Sequence, residues 1–367
     1  MSDYPFNPTT KALPAVVPFV GPETAERAMG KIFAARIGAN ESVFGPSPKA
    51  IAAMEAAAAE VWMYGDPENY DLRHALAKHH GLSPENIMVG EGIDGLFGSM
   101  ALMFMEPGVK IATTLGGYPT FNYQMAARGG VIETTPFKDD KEDLSGLIDL
   151  ARRVEARLIY LANPDNPMGT WWSGGEVSDM IANVPDGSLL CLDEAYIEFA
   201  PKGTAPAIDV ANTKVIRFRT FSKAYSMAGV RIGYAIGEAS LIKAFDKVRN
   251  HFGINRIAQA GALAALEDQA YMKTVVERVA VSRERIAAIA KANGFEPILS
   301  SASFVTMDCG RGAAFATAIV QGLAKRSVFI RKPFSAPEDR CIRVSAGAPQ
   351  DLDLFETALA ETLAELS

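Results

Sequence analysis

Lys223 stands just past an apolar run, Lys214–Thr220, with Ser222 immediately before it and Arg231 further along the same segment. A run of that kind reads as a buried strand, and an ammonium buried beside it without a partner is costly. A lysine amine can instead form a Schiff base with an aldehyde, and pyridoxal 5′-phosphate is the usual biological aldehyde of this kind. Ser222 and Arg231 then offer a hydroxyl and a fixed cation to a phosphate. Alone, the segment reads equally well as a strand followed by a solvated turn.

Ligands in open α/β sheets gather at the carboxyl ends of strands, and other strand ends here are unusually polar. In Val89–Gly98, Gly90, Gly92 and Gly95 formally satisfy the G-x-G-x-x-G spacing of a dinucleotide site. The acidic residue that such a site needs after the next strand is missing from Ile111–Gly116, which argues against it. Glycines that open a helix still present backbone amides to a phosphate, and a turn without ligand is the plain alternative. Leu161–Thr170 holds two Asn-Pro pairs, which fix an irregular loop and leave Asn163 and Asn166 as amide donors. Most single pairs of this sort are tight turns. Asp193 follows an apolar run, where a carboxylate needs a cationic or hydrogen-bonding partner. A pyridinium N–H would be one, with Tyr196 reaching the same ring; a helix N-cap is the other reading. Arg343 alternates with Ile342 and Val344, as a snorkelling edge residue or as a carboxylate clamp.

The elements that must hold these residues follow from periodicity. Residues 1–45 form an arm and connector with one weak helical pattern. Helices are expected from about Ser47 to Val61 and from Tyr70 to His79. Strands are expected at Asn86–Val89, Val109–Thr113, Leu158–Ala162, Leu189–Leu192, Lys214–Thr220 and Gly233–Ile236, alternating with helices. That alternation predicts a mostly parallel sheet, covered by helices, over residues 46–250. A long helical stretch then reaches about Ala292. Ser303–Asp308, helix Ala313–Ala324, Val328–Ile330, Cys341–Ser345 and a helix from Asp351 complete a smaller α+β domain over 251–367.

Composition bounds the function. At 367 residues, 49% hydrophobic and 22% charged, the chain reads as an ordinary soluble two-domain protein. No apolar run is long enough for a membrane span, and the first residues lack the pattern of a signal peptide. A net charge of −7 with no basic block argues against nucleic acid. Three scattered cysteines in apolar surroundings indicate buried thiols in a reducing, cytoplasmic compartment. With no H-x-x-x-H or C-x-x-C spacing, no metal site is expected.

Taken in order, Gly38-Ala-Asn-Glu-Ser, Tyr64-Gly-Asp-Pro-Glu, Gly90-Glu-Gly-Ile-Asp, Pro119-Thr-Phe, Asn163-Pro-Asp-Asn-Pro-Met-Gly, Asp193-Glu-Ala-Tyr, Thr220-Phe-Ser-Lys-Ala-Tyr, Gly229-Val-Arg-Ile-Gly and Ile342-Arg-Val-Ser-Ala-Gly span most of the chain. Together they resemble the fold type I, class I/II aminotransferases that use pyridoxal 5′-phosphate, and most closely the histidinol-phosphate aminotransferase subgroup. The resemblance implies that Lys223 holds the cofactor as an aldimine and shuttles a proton, while Asp193 pairs with the pyridinium nitrogen. It implies that Asn166 and Tyr196 donate to the ring's phenolate oxygen and that Phe121 stacks on the ring. Backbone amides of Gly92 and Ile93, with Ser222 and Arg231, would hold the phosphate. Tyr64 would reach the phosphate of a neighbouring subunit, giving a homodimer with its active site at the subunit interface. Arg343 would fork onto a substrate carboxylate, with Asn166, Gly38 and Arg331 also on the substrate side. The implied reaction moves an amino group from histidinol phosphate, or an aromatic or other L-amino acid, to a 2-oxo acid such as 2-oxoglutarate. A decarboxylase of the same fold is the alternative. Met168 replaces the usual threonine of its motif, Ile93 replaces a small polar residue, and Leu115-Gly-Gly-Tyr precedes the stacking aromatic in an unusual way.

Overall fold

The computed structural model describes residues 4–15 and 20–366, so the expected arm is seen only in part, and its residues 1–3 and 16–19 lie outside the described residues, as does Ser367. A two-residue strand, β1 (Ala35–Arg36), leads into the body of the protein. Seven strands then build one sheet: β2 (Ile87–Gly90), β3 (Lys110–Thr114), β4 (Val131–Thr135), β5 (Leu158–Ala162), β6 (Leu189–Asp193), β7 (Val215–Thr220) and β8 (Gly233–Ile236). Their spatial order is β2-β8-β7-β6-β5-β3-β4, and only β8 runs against its neighbours. The carboxyl ends of β3, β5, β6 and β7 therefore share one edge.

Side chains alternate across this sheet because successive Cβ atoms point to opposite faces. Leu158 and Tyr160 of β5, Leu189 and Cys191 of β6, and Ile216 and Phe218 of β7 pack under helices Gly92–Phe104 and Pro119–Ala126. Ile159, Leu161, Leu190 and Leu192 pack on the other face, against helices Leu144–Val154 and Gly174–Ala182. Burial on both faces explains why these strands read as continuous apolar runs.

The later half adds β9 (Glu296–Pro297), β10 (Phe304–Asp308), β11 (Val328–Phe329) and β12 (Cys341–Ser345). A three-stranded sheet has the order β12-β10-β9, while β11 pairs in parallel with β1, joining Ala35 to Val328. A separate apolar core, including Ile286, Val305, Ile319, Ile342 and Phe355, lies beneath them.

Several boundaries differ from expectation. β4 was not expected: Val131-Ile-Glu-Thr-Thr lies at the sheet edge and is half exposed, so its apolar signal is weak. The long helical stretch is three helices, Ala239–Ala244, Arg256–Glu267 and Gln269–Ala292. Asn255 caps the second by accepting from the Ala258 N–H at 2.9 Å. Asp268 leaves the helical conformation between the second and third, and its carboxylate accepts from the Ser47 hydroxyl at 2.5 Å. Helix Pro48–Ala58 is shorter than its alanine-rich sequence suggests. The weak pattern in the arm resolves into two short helices, Pro8–Ala12 and Pro22–Met29.

Candidate active site

The shared edge of the large sheet opens on a cavity of about 480 Å³, closed opposite by residues 39–41, residues 331–334 and Arg343. Lys223 enters it from the tight loop that follows β7. Buried Phe221 anchors that loop, Ser222 N–H donates to Thr220 Oγ1 at 3.0 Å, and Ser226 N–H donates to the Lys223 carbonyl at 3.0 Å. Lys223 Nζ donates to the Asn40 carbonyl at 3.0 Å and sits 5.5 Å from the centre of the Tyr196 ring. Burial, reinforced by the Arg343 and Arg231 charges, lowers the Lys223 pKa to about 8. Such an amine keeps an appreciable neutral, nucleophilic fraction near neutrality.

Asp193 ends β6. Its Oδ1 accepts from Ala195 N–H at 2.9 Å and its Oδ2 from the Tyr160 hydroxyl at 2.8 Å. Burial raises its pKa to about 6 against these two hydrogen bonds. The next residue, Glu194, turns to the opposite face. There it accepts from Arg217 Nε and Nη2 at 3.0 and 2.5 Å and from Arg219 Nε at 3.0 Å. This buried group of three charges ties the ends of β6 and β7 together beneath the lysine loop.

The end of the cavity suited to an anion is the start of helix Gly92–Phe104, where the first backbone amides lack intrahelical partners. Arg231 lies across it, donating from Nη1 to Ser222 Oγ at 3.2 Å and to the Ala228 carbonyl at 2.9 Å. Gly92 has φ of +72°, and a Cβ there would stand 2.7 Å from Arg231 Nη2. A glycine is therefore needed both for the conformation and for the guanidinium's place. Asp94 Oδ2 lies 3.4 Å from the same Nη2, and its Oδ1 accepts from the Tyr118 hydroxyl at 3.2 Å.

At the opposite end, Arg343 donates from Nη1 to Asn166 Oδ1 and from Nη2 to the Gly38 carbonyl at 3.4 Å. Its Nε is buried without a partner. Burial, with Arg331 nearby, lowers its pKa to about 10, so it stays cationic at neutral pH. Arg331 is joined to Arg343 by two backbone hydrogen bonds of 3.3 and 2.7 Å and also lines the cavity, its own Nε unpartnered. The cavity thus combines an amine nucleophile, a carboxylate suited to a ring N–H, a helix start flanked by Arg231 and Ser222, and the guanidinium groups of Arg331 and Arg343.

The sequence family described as aminotransferase class I and II matches residues 35–359. The chain belongs to the class I and II aminotransferases. It is 32% identical to histidinol-phosphate aminotransferase 1 of Mesorhizobium japonicum, over 90% of each chain. It is likewise 32% identical to histidinol-phosphate aminotransferase 2 of Carboxydothermus hydrogenoformans, over 92% of this chain and 94% of that one. A crystal structure of the Sinorhizobium meliloti histidinol-phosphate aminotransferase in complex with pyridoxal-5′-phosphate superposes with a TM-score of 0.97 at 49% identity. It covers 99% of this chain and 98% of that one. The fold and family read from the sequence motifs are therefore met.

In this aminotransferase Lys223, Ser222, Arg231 and Ile93 reach the cavity wall together with Asp193 and Tyr196. Asn166, Arg331 and Arg343 complete that wall, while Gly38 and Gly92 supply backbone just behind it. Two expected residues lie elsewhere. Tyr64 is 78% exposed and leans on Phe252, with ring centroids 4.8 Å apart, outside this chain's own cavity. Phe121 is fully buried behind the wall, stacked on Tyr160 at 4.7 Å and edge-on to Phe97 at 5.2 Å. The expectation that it faces the cavity is corrected: helix Pro119–Ala126 turns Phe121 into the core, and Tyr118, just before the helix, lines the cavity instead. Met168 is also fully buried, with its N–H on Asp165 Oδ1 at 2.9 Å.

Sequence reasoning gave no role to Asn40, Asp94, Tyr118 or Tyr160. Asn40 adopts φ of +55°, and its Nδ2 donates to the Tyr196 hydroxyl at 3.0 Å while its Oδ1 accepts from Ser345 at 2.9 Å. Its signal was an asparagine inside the Gly38-Ala-Asn-Glu-Ser segment. Tyr160 carried none, because an aromatic inside an apolar strand reads as core.

Proposed function

We propose that this aminotransferase exchanges an amino group between histidinol phosphate and a 2-oxo acid such as 2-oxoglutarate, using pyridoxal 5′-phosphate at Lys223. The observation that carries the reading is the convergence of Lys223, Asp193, the Arg231 cup and Arg343 on one cavity. The donor set suits the cofactor: an amine for its aldehyde, a buried carboxylate for its ring nitrogen, and helix amides with Arg231 and Ser222 for its phosphate. When bound, pyridoxal 5′-phosphate supplies the aldehyde carbon and an electron-accepting ring.

The chain's own residues supply the rest. Lys223 accepts the proton of the substrate's α-carbon at Nζ and returns it across the same cavity, a task suited to an amine with its pKa lowered to about 8. Asp193 holds a proton on the ring nitrogen, and Tyr196 and Asn166 orient the ring from the side. Arg343 binds the carboxylate of glutamate or 2-oxoglutarate through its fork. Arg331 is suited to the distal phosphate of histidinol phosphate. The names of the relatives support this donor, and none of those relatives supports the decarboxylase alternative.

A homodimer is part of the same reading. Tyr64 is 78% exposed and packs on exposed Phe252, with the exposed aromatics Trp62 and Tyr70 close by in sequence to Tyr64, and exposed aromatic side chains are of the kind that partners cover. Tyr64 would then complete a second copy's phosphate cup. Buried free thiols at Cys191, Cys309 and Cys341 support a reducing, cytoplasmic setting. Two separate cores favour a division into a large and a small domain, with β1 of the arm joining the small side. The expected boundary at 250/251 falls too early: Ile254 and, in helix Arg256–Glu267, Ala258, Ala262 and Leu266 pack with Ala50, Leu72 and Phe221 on the large side.

The test is direct. Protein loaded with pyridoxal 5′-phosphate is offered histidinol phosphate and 2-oxoglutarate, and glutamate formation is measured beside phenylalanine and tyrosine as rival donors. Histidinol phosphate is expected to give the highest kcat/KM. A higher value for an aromatic amino acid removes the donor assignment, and carbon dioxide without glutamate would favour the decarboxylase.

A further inference from the structure

Tyr160 and Asp193 lie on the same face of adjacent parallel strands, with Asp193 in register with Ala162 and Tyr160 two residues before it. Tyr160 is fully buried and stacked on Phe121 with an interplanar angle of 22°, so its ring has one position. Its hydroxyl donates to Asp193 Oδ2 at 2.8 Å, while Oδ1 is held by the Ala195 amide. Both oxygens are therefore fixed from behind, and the carboxylate has one way to face the cavity.

We propose that Tyr160 is a positioning residue for the reaction, its hydroxyl setting both the orientation and the basicity of Asp193 toward the cofactor's ring nitrogen. The inference rests on the functional reading above, in which Asp193 faces that nitrogen. A carboxylate that accepts a hydrogen bond in a buried site is a weaker base than one without it, because the bond favours the charged form. Burial raises the Asp193 pKa to about 6, and the Tyr160 hydroxyl is the leading influence opposing that rise. The other ionisable groups around Asp193 are Asp94 and Glu194, which raise it further, and Glu142, Tyr118, Tyr196 and Cys191, whose own pKa values are raised by its charge. Removing the hydroxyl therefore leaves a carboxyl that stays protonated to higher pH and cannot receive a cationic ring N–H there.

Tyr160→Phe keeps the ring stack and removes only the hydroxyl. Equilibrium binding of pyridoxal 5′-phosphate to the apoprotein is measured from pH 5 to 8.5 for the wild type, Tyr160→Phe, Asp193→Asn and the double variant. Affinity of the wild type is expected to fall on the acid side, and Tyr160→Phe to move that limb up by about one pH unit, from the worth of one hydrogen bond to a charged group. Binding at pH 8.5 stays near the wild-type value. Asp193→Asn flattens the limb, and adding Tyr160→Phe then changes nothing, as coupling through Asp193 requires. An unmoved limb, an equal loss at every pH, or a shift that persists in the Asp193→Asn background overturns the proposal. A wild-type affinity and limb in Asp193→Asn itself overturns the functional reading and this inference together.

Discussion

Arg343 keeps its Nε buried and unpartnered, and in the proposed reading its guanidinium is the clamp for a substrate carboxylate. Arg343→Lys offers a point charge in place of a plane, and a lost pair of this kind in a desolvated site costs about 2–5 kcal/mol. The KM for glutamate and 2-oxoglutarate is therefore expected to rise by tens-fold or more. Histidinol phosphate has a hydroxymethyl group where an amino acid has its carboxylate, so its half-reaction is expected to change much less. Equal losses in separate single-turnover measurements would refute the clamp. A second residue-scale expectation concerns Lys223: borohydride reduction of loaded protein, followed by peptide mapping, is expected to place the pyridoxyl group on that lysine, and a label on another lysine would displace it from the centre of the site. That Lys223, Asp193 and Arg343 would share one cavity was legible because each sets a charge against an apolar run. Tyr118 and Phe121 were not, because two aromatics three residues apart near a helix start leave open which one turns outward.

At the scale of elements, the ends of β6 and β7 are held by Glu194 between Arg217 and Arg219, with the Glu194 and Arg217 side chains only 1% and 4% exposed. Glu194→Ala removes the carboxylate that pairs directly with both interior guanidinium groups and leaves Glu198 only as a neighbour of Arg219, a change expected to cost about 3–5 kcal/mol. The urea midpoint should fall accordingly with little change in slope, and a drop below about 1 kcal/mol would mean that water reaches these arginines. The strands themselves were largely legible, since burial on both faces writes them as apolar runs bounded by polar residues. β4 was hidden by its edge position, and the break at Asp268 by good helix formers on both sides. That break is set by a tertiary contact, the hydrogen bond from Ser47, which no local propensity encodes.

Across the molecule, the pH dependence of stability is expected to change when the cofactor binds. Asp193 binds its proton more tightly folded than unfolded, with a pKa raised from 3.8 to about 6. Its contribution to apoprotein stability is therefore full below about pH 4 and lost as pH rises through 6. In the proposed reading, a cationic ring nitrogen would give the ionised carboxylate a partner. The gap in Tm between loaded and empty protein, at one cofactor concentration, is thus expected to widen from pH 5 to pH 7.5. A constant or narrowing gap by calorimetry would show that Asp193 does not couple to binding. The pairing of β1 with β11 has a consequence of another kind, in the order of biosynthesis. Ala35 must wait for Val328, and Asn40, whose carbonyl receives Lys223 Nζ, must wait for Ser345. During translation the large sheet can be complete while the lysine's cavity still lacks a wall, because its closing contacts join residues 35–40 to residues 328–345. A ribosome stalled between those points would hold a folded half-enzyme with its reactive amine uncovered. Capture of the cofactor in its finished site is therefore a late event in the life of the nascent chain.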